Sequence, residues 1–288
     1  MKLEDLSIPP IVYDLLRNRR FLIGISLFIF IVCFSLVGGL IYTRNPFDMS
    51  GPPEQPPSAE YPLGTDRMGR DILAQLIWGT RYSLYVGVLV ALIAMPIGVV
   101  IGAIAGVKGG IIDELLMGLT NIVLSIPSIL LAILIAATLP TGMRTYEIVA
   151  LVIGVTSWPW LARAIRAQMM SLREREFVYL SRMAGYSDVR IAFADLLPNI
   201  ATYVFMAFVL FVNGGILGEA GLSLIGVGPS RGITLGVILY WAATMEAVRR
   251  GLWWWFAPAG AMIVLATSSL MIVTTAVDEV FNPRLRKQ

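Results

Sequence analysis

The chain has 288 residues, 57% of them hydrophobic and 14% charged, with a mean hydropathy of +0.77 and a net charge of +3. A soluble domain carries about a quarter charged residues, so this composition excludes an ordinary water-covered surface and indicates a multi-spanning membrane protein. Histidine is absent and Cys33 is the single cysteine, which excludes imidazole metal sites, His-dependent nucleophile pairs and a disulfide within the chain.

One span takes about 20 apolar residues, because the hydrocarbon core is about 30 Å thick and a helix rises about 1.5 Å per residue. Residues 1–20 read as a cytoplasmic segment in which Ile11, Val12, Leu15 and Leu16 share a stripe, suited to a short helix on the membrane surface. Residues 21–43, uncharged between Arg20 and Arg44, form the first span. This run is long for a secretion signal, and no small-x-small site precedes "YTRNPF", so it reads as a retained helix.

Residues 44–81 read as an extracytoplasmic connector. Its first part, "NPFDMSGPPEQPPSAEYP", is Pro-rich and expected to be extended. Thr65 or Asp66 can then cap a helix in which Ile72, Leu73, Leu76 and Ile77 oppose Arg70, Gln75 and Arg81. That helix is expected to rest on the outer membrane surface, and residues 63–81, with Arg67 and Arg70, are the candidate landing surface for an external partner.

Residues 82–288 hold five further charge-free runs, at 82–107, 115–143, 148–162, 196–218 and 251–277. Arg163 and Arg166 can snorkel and so lengthen the short fourth run. The uncharged "GITLGVILYWAATM" at 232–245 is too short to cross and is expected to be interfacial or re-entrant. The fold class is therefore all-α, with six transmembrane helices. With the N-terminus inside, 14 of the 22 Lys and Arg fall in inner segments, which predicts cytoplasmic chain ends. The basic residues flank apolar runs, a topology signal and not a nucleic-acid patch.

Within these runs, Gly98, Gly102, Gly106 and Gly110 recur every four residues and mark a helix face open to close approach. Pro96, Pro127 and Pro159 invite kinks. Asn121 and Asn213 are the deepest polar residues, placed for interhelical hydrogen bonds or for lining a pathway.

Much chemistry is missing. The only lysines are Lys2, Lys108 and Lys287, and none stands in the Gly-Lys-Ser/Thr step of a phosphate-binding loop. Glu147, Glu219 and Asp278 all fall near span ends, so no ionisable group marks mid-membrane. That argues against a proton- or ion-coupled carrier. It also leaves an intramembrane protease without the nucleophile–base pair or paired aspartates it needs.

One insert breaks the apolar pattern: "REREFVYLSRMAGYSDVRIAFADLLPN", residues 173–199. Phe177, Leu180 and Ala184 share a helical stripe, with Arg175, Glu176 and Arg182 elsewhere on the helix. Gly185 is placed to end this helix in a left-handed turn, and Ser187 or Asp188 to cap the next, which runs to a break at Pro198.

This insert resembles the EAA loop of ABC importer permeases, whose pattern is Glu-Ala-Ala, a glycine, then Leu-Pro. Gly185 and "LLPN" match; "YLS" at 179–181 replaces Glu-Ala-Ala, and Asp195 stands where relatives often have histidine. "YPLGTDRMGRDILAQLIWGTRYSL", "KGGIIDELLMGLTNIVLSIPSILLA", "GEAGLSLIGVG" and "NPRLR" narrow the resemblance to the dipeptide/oligopeptide branch, over roughly residues 15–286. The segment after Gly228 is shorter than in that branch.

The resemblance implies the permease subunit of a primary-active importer in the plasma membrane, paired with a second, similar permease. It implies two ATPase subunits that use ATP and Mg, an extracytoplasmic solute-binding protein, and no cofactor on this chain. Peptides are the implied substrate, with oligosaccharides or nickel carried by related systems. Within the loop at 171–199, the coupling helix would comprise Glu176, Phe177, Tyr179, Leu180, Arg182, Gly185, Ser187 and Asp188.

Overall fold

A computed structural model describes residues 10–281. The readings of Lys2, of both chain ends and of "NPRLR" lie outside the described residues, as do the side chains of Ile11 and Val12. The described chain is helical, with one isolated bridge, between Thr65 and Asp71. Its helices are α1 (Pro10–Arg17), α2 (Arg19–Ile41), α3 (Ile72–Lys108), α4 (Gly110–Leu124), α5 (Ser128–Thr138), α6 (Tyr146–Ser157), α7 (Pro159–Leu172) and α8 (Glu176–Met183). They continue with α9 (Asp188–Leu224), α10 (Leu235–Thr244) and α11 (Trp253–Phe281).

Four of these, α2, α3, α9 and α11, are long and apolar enough to cross a membrane. The pairs α4–α5 and α6–α7, bent by 77° and 43°, raise the number to six if each pair is one span. The chain is a multi-pass membrane protein. Pro127 and Pro159 sit at these two bends, where a missing N–H costs nothing because a first helical turn leaves it unpaired anyway. Pro96 and Pro258, by contrast, lie inside continuous helices. Proline thus marks a break here only where it opens a helix.

Two compact units share the chain. One gathers the residues up to Tyr85 and those from Ser223 onward, and the other is Val86–Leu222. In the first, α2 lies along α11: a Cβ at Gly24 would stand 3.0 Å from the Ser269 carbonyl and the Val273 side chain. The outward faces of α2 are apolar, with Leu40 and Ile41 each 79% exposed, as suits a helix solvated by lipid. Helix α10, ten residues long, packs on α11 and buries Leu235, Val237, Ile238 and Ala242. It is a short buried helix, not a span.

The segment before α3 differs from the expected extended connector and surface helix. Residues 51–71 fold into a compact loop closed by backbone bonds from Gly51 N to Gly69 O (3.0 Å), Thr65 N to Gln55 O (2.9 Å) and Asp66 N to Arg70 O (3.0 Å). Helix α3 starts only at Ile72, capped by the Asp71 carboxylate, which accepts from the Ala74 N–H at 3.0 Å. From Ile72 it runs unbroken for 37 residues. Ile72, Leu76 and Ile77 of its apolar stripe are buried, and so is Gln75 on the opposite side, so no separate helix rests on the surface there.

In the second unit the glycine face finds its neighbour in the same chain. A Cβ at Gly98 would meet Leu161 at 2.9 Å, and one at Gly106 would stand 2.8 Å from the Arg166 carbonyl. Gly98, Gly102 and Gly106 therefore let α3 and α7 touch backbone to backbone. Gly110 is not part of this contact: it opens α4 at φ +55° with nothing near its Cβ position.

Candidate functional site

After Leu172 the chain leaves α7, turns through residues 173–175 and forms the two-turn helix α8. What ends α8 is legible bond by bond. The Gly185 N–H donates to the Arg182 carbonyl at 2.9 Å, and the Tyr186 N–H to the Ser181 carbonyl at 3.1 Å. This Schellman pairing needs a left-handed residue after the helix, and Gly185 supplies it at φ +79°. Ser187 then caps the following helix, its hydroxyl accepting from the Arg190 N–H at 3.4 Å.

The expected break at Pro198 is absent. Proline cannot donate to the Ala194 carbonyl, and the chain absorbs this by a wide π turn over Ile191–Leu196 and a tight 3-10 turn over Leu197–Ile200. The Asn199 side chain donates to the Asp195 carbonyl at 2.6 Å in the same stretch. The helix therefore continues from Asp188 to Leu224, carrying the insert rigidly into a span.

Burial decides which face of α8 is available. Val178, fully buried, is the one side chain of α8 that is anchored, and the helix packs on the π turn at Ile191–Leu196. Phe177, Tyr179, Leu180 and Met183 are 38%, 49%, 67% and 85% exposed, and Tyr186 and Val189 beyond the turn are also exposed. Glu176, Arg182, Gly185, Ser187 and Asp188 are exposed too. The polar groups here can be hydrated. The apolar ones, left exposed along a short helix, form a surface that water solvates poorly.

The base of the insert is tied down by arginines. Arg166 on α7 grips Asp113 on α4 with two bonds of 2.5 Å, a forked geometry that fixes orientation as well as distance. Arg163 Nη2 donates to Asn121 Oδ1 at 2.7 Å, and Arg173 Nη1 to the Gly106 carbonyl at 3.3 Å. Asn121 is thus engaged between helices. Asn213 on α9 has a buried Oδ1 without a hydrogen-bond partner among the described residues. The Asp113–Arg166 fork was not read from the sequence; two charges 53 positions apart at the ends of uncharged runs give no sign of pairing.

The two arginines offered for external docking separate. Arg67 is exposed. Arg70 is 5% exposed, with its Nε 2.6 Å from the Asp66 carboxylate and its guanidinium 4.0 Å above the Trp241 ring centre. Asp66 also accepts from the Met68 N–H at 2.8 Å and from Gln75 Nε2 at 2.9 Å. Arg70 is therefore a strut inside the loop, not a surface contact, because the loop and α10 enclose it.

Fold and insert together define a class: a multi-pass helical membrane protein with a rigid, partly apolar helix projecting from a loop. Residues 98–287 match the family described as binding-protein-dependent transport system inner membrane component, and the chain belongs to it. It is 34% identical over 213 residues to the dipeptide transport system permease protein of Bacillus subtilis, covering 74% of this chain and 66% of that one. It is 35% identical over 234 residues to the oligopeptide transport system permease protein of Mycobacterium tuberculosis, covering 80% and 79%. The dipeptide transport system permease protein of Haemophilus influenzae is 34% identical over 225 residues.

Proposed function

We propose that this chain is the permease subunit of an ATP-driven ABC importer of peptides. It would pair with a second permease, receive substrate from an extracytoplasmic binding protein and be powered by two ATPase subunits that hydrolyse ATP. The chain itself would be no enzyme. The observation that carries the reading is the exposed apolar face of α8 on a loop that resembles the EAA loop, in a chain without a phosphate-binding loop. Orientation follows from the same argument and from the basic-residue bias: the insert and both chain ends face the cytoplasm.

The mechanism is mechanical. Phe177, Leu180 and Met183 enter a cleft of an ATPase subunit, each worth roughly 1.5–3 kcal/mol if fully buried. Gly185 turns the chain back, so a displacement of α8 is passed through residues 184–187 to α9, itself one continuous helix into a span, and through residues 173–175 to α7. The Asp113–Arg166 fork and the Arg173–Gly106 bond connect α7 to α4 and α3, a contiguous network able to carry that displacement to the spans. In this scheme Arg67 meets the binding protein, and peptides are preferred to oligosaccharides or nickel because the similar permeases are named for dipeptides and oligopeptides.

The test is uptake into proteoliposomes holding the whole complex, with labelled tripeptide, oligosaccharide and nickel compared. ATP-dependent accumulation of peptide alone is expected. Accumulation without ATP would point to a secondary carrier instead.

A further inference from the structure

The bends that divide α4 from α5 and α6 from α7 open onto the same space. Two adjoining cavities, of about 160 and 230 Å³, share Ser128, Ser157 and Gly214 in their walls. Ser128 is the first residue of α5, just past the 77° bend, and Ser157 is the last of α6, just before the 43° bend. Irregular backbone at membrane depth persists only where protein buries it or where it lines a cavity, and helix breaks of this kind are where transport proteins hold substrate.

The walls set the chemistry. No charged side chain lines either cavity. The back is apolar and buried, with Ala132, Ile153 and Phe211, and Trp160 leans on the Phe211 ring at 4.9 Å between centres. Ser157 donates its hydroxyl to the Ile153 carbonyl at 2.7 Å, which leaves its oxygen free to accept. The Ser128 hydroxyl has no hydrogen-bond partner among the described residues. A Cβ at Gly214 would meet nothing within 4 Å, and Ser128 and Gly214 stand exposed at the mouth.

We propose that these joined cavities are a subsite for one uncharged apolar side chain of a transported peptide, aliphatic or aromatic. The Ser128 and Ser157 hydroxyls then face the adjoining peptide group. A charged side chain is excluded, since nothing in the walls offsets its loss of hydration. The proposal rests on the peptide-importer reading above and adds to it a preference exerted by the permease itself.

The experiment compares Ala-Ala-Ala with Ala-Phe-Ala in proteoliposomes holding the whole complex, parental or with Gly214→Leu, which places bulk at the shared wall. Uptake of Ala-Phe-Ala relative to Ala-Ala-Ala should fall about tenfold or more in the variant, the scale on which an apolar pocket discriminates by size. Peptide affinity of the binding protein, a separate chain, should not change. An unchanged ratio, or equal loss for both peptides, overturns the subsite. Parental uptake of Ala-Ala-Ala alone carries the importer reading, so the two fail separately. A second measurement does not depend on tolerance of leucine: in Cys33→Ser, Ser128→Cys should react with a neutral maleimide, and more slowly during turnover of Ala-Phe-Ala. Labelling indifferent to peptide but altered by lipid chain length would assign the cavity to lipid and overturn the proposal.

Discussion

The Pro-rich loop at 51–71 and the insert at 173–199 are the two polar interruptions of an apolar chain, and they are built in opposite ways. The loop has little regular structure, yet it is closed: buried Asp66 accepts from Arg70 within the loop and from Gln75 on α3, and Trp241 covers the guanidinium. The insert is regular helix, yet it is open, with Leu180 and Met183 projecting and Val178 its anchor. Regularity therefore says little about role. A buried pair of opposite charges bonded within the loop holds a fold, whereas apolar side chains left outward on a stiff helix need a partner.

Cutting the closed loop should have the largest effect on stability. Removing one member of a buried pair leaves the other charge stranded, at about 3–5 kcal/mol. Arg70→Ala and Asp66→Ala should each lower the melting temperature of the purified protein sharply and expose residues 51–71 to protease. If both variants melt like the parent, the loop is not held by that pair.

Gly185→Val should do the reverse, sparing the fold and damaging transmission. A β-branched residue at φ +79° is strained by roughly 1–3 kcal/mol, but the Cβ position is open, so the strain can relax by re-aiming the turn. Melting should barely shift, while peptide-stimulated ATP hydrolysis and uptake by the whole complex fall together. Normal stimulation at normal assembly would show that the turn does not direct α8.

How far the sequence foretold this contrast depends on the kind of signal. Gly185 was legible because a glycine after an amphipathic helix is a local cap, complete within six residues. The span pattern was legible because charge bounds each run. Arg70 was not: a charged residue beside a Pro-rich stretch reads as exposed, and its burial depends on Trp241, far along the chain. Pro127 and Pro159 could be flagged as kinks, but so could Pro96, which the helix absorbs. The glycine face at Gly98, Gly102 and Gly106 announced close packing without saying that α7 was the neighbour.

Smaller effects sharpen the comparison. Leu180→Asp should leave the melting of the isolated chain unchanged and weaken its association with the ATPase subunits about 10- to 100-fold, the equivalent of losing one buried leucine. Arg67→Glu, on an exposed side chain, should leave stability intact and make binding-protein docking weaker and less salt-dependent. Glu176→Ala should change ATPase association least, by about 1 kcal/mol or less.

The central claim, that α8 is an open face waiting for an ATPase subunit, can be measured at Met183, the most exposed of its apolar residues. In a Cys33→Ser background, Met183→Cys is labelled with a thiol reagent in the isolated chain and in the assembled complex. Fast labelling alone and strong protection in the complex is the predicted result. Equal rates in both, with the ATPase subunits shown to be bound, would contradict it.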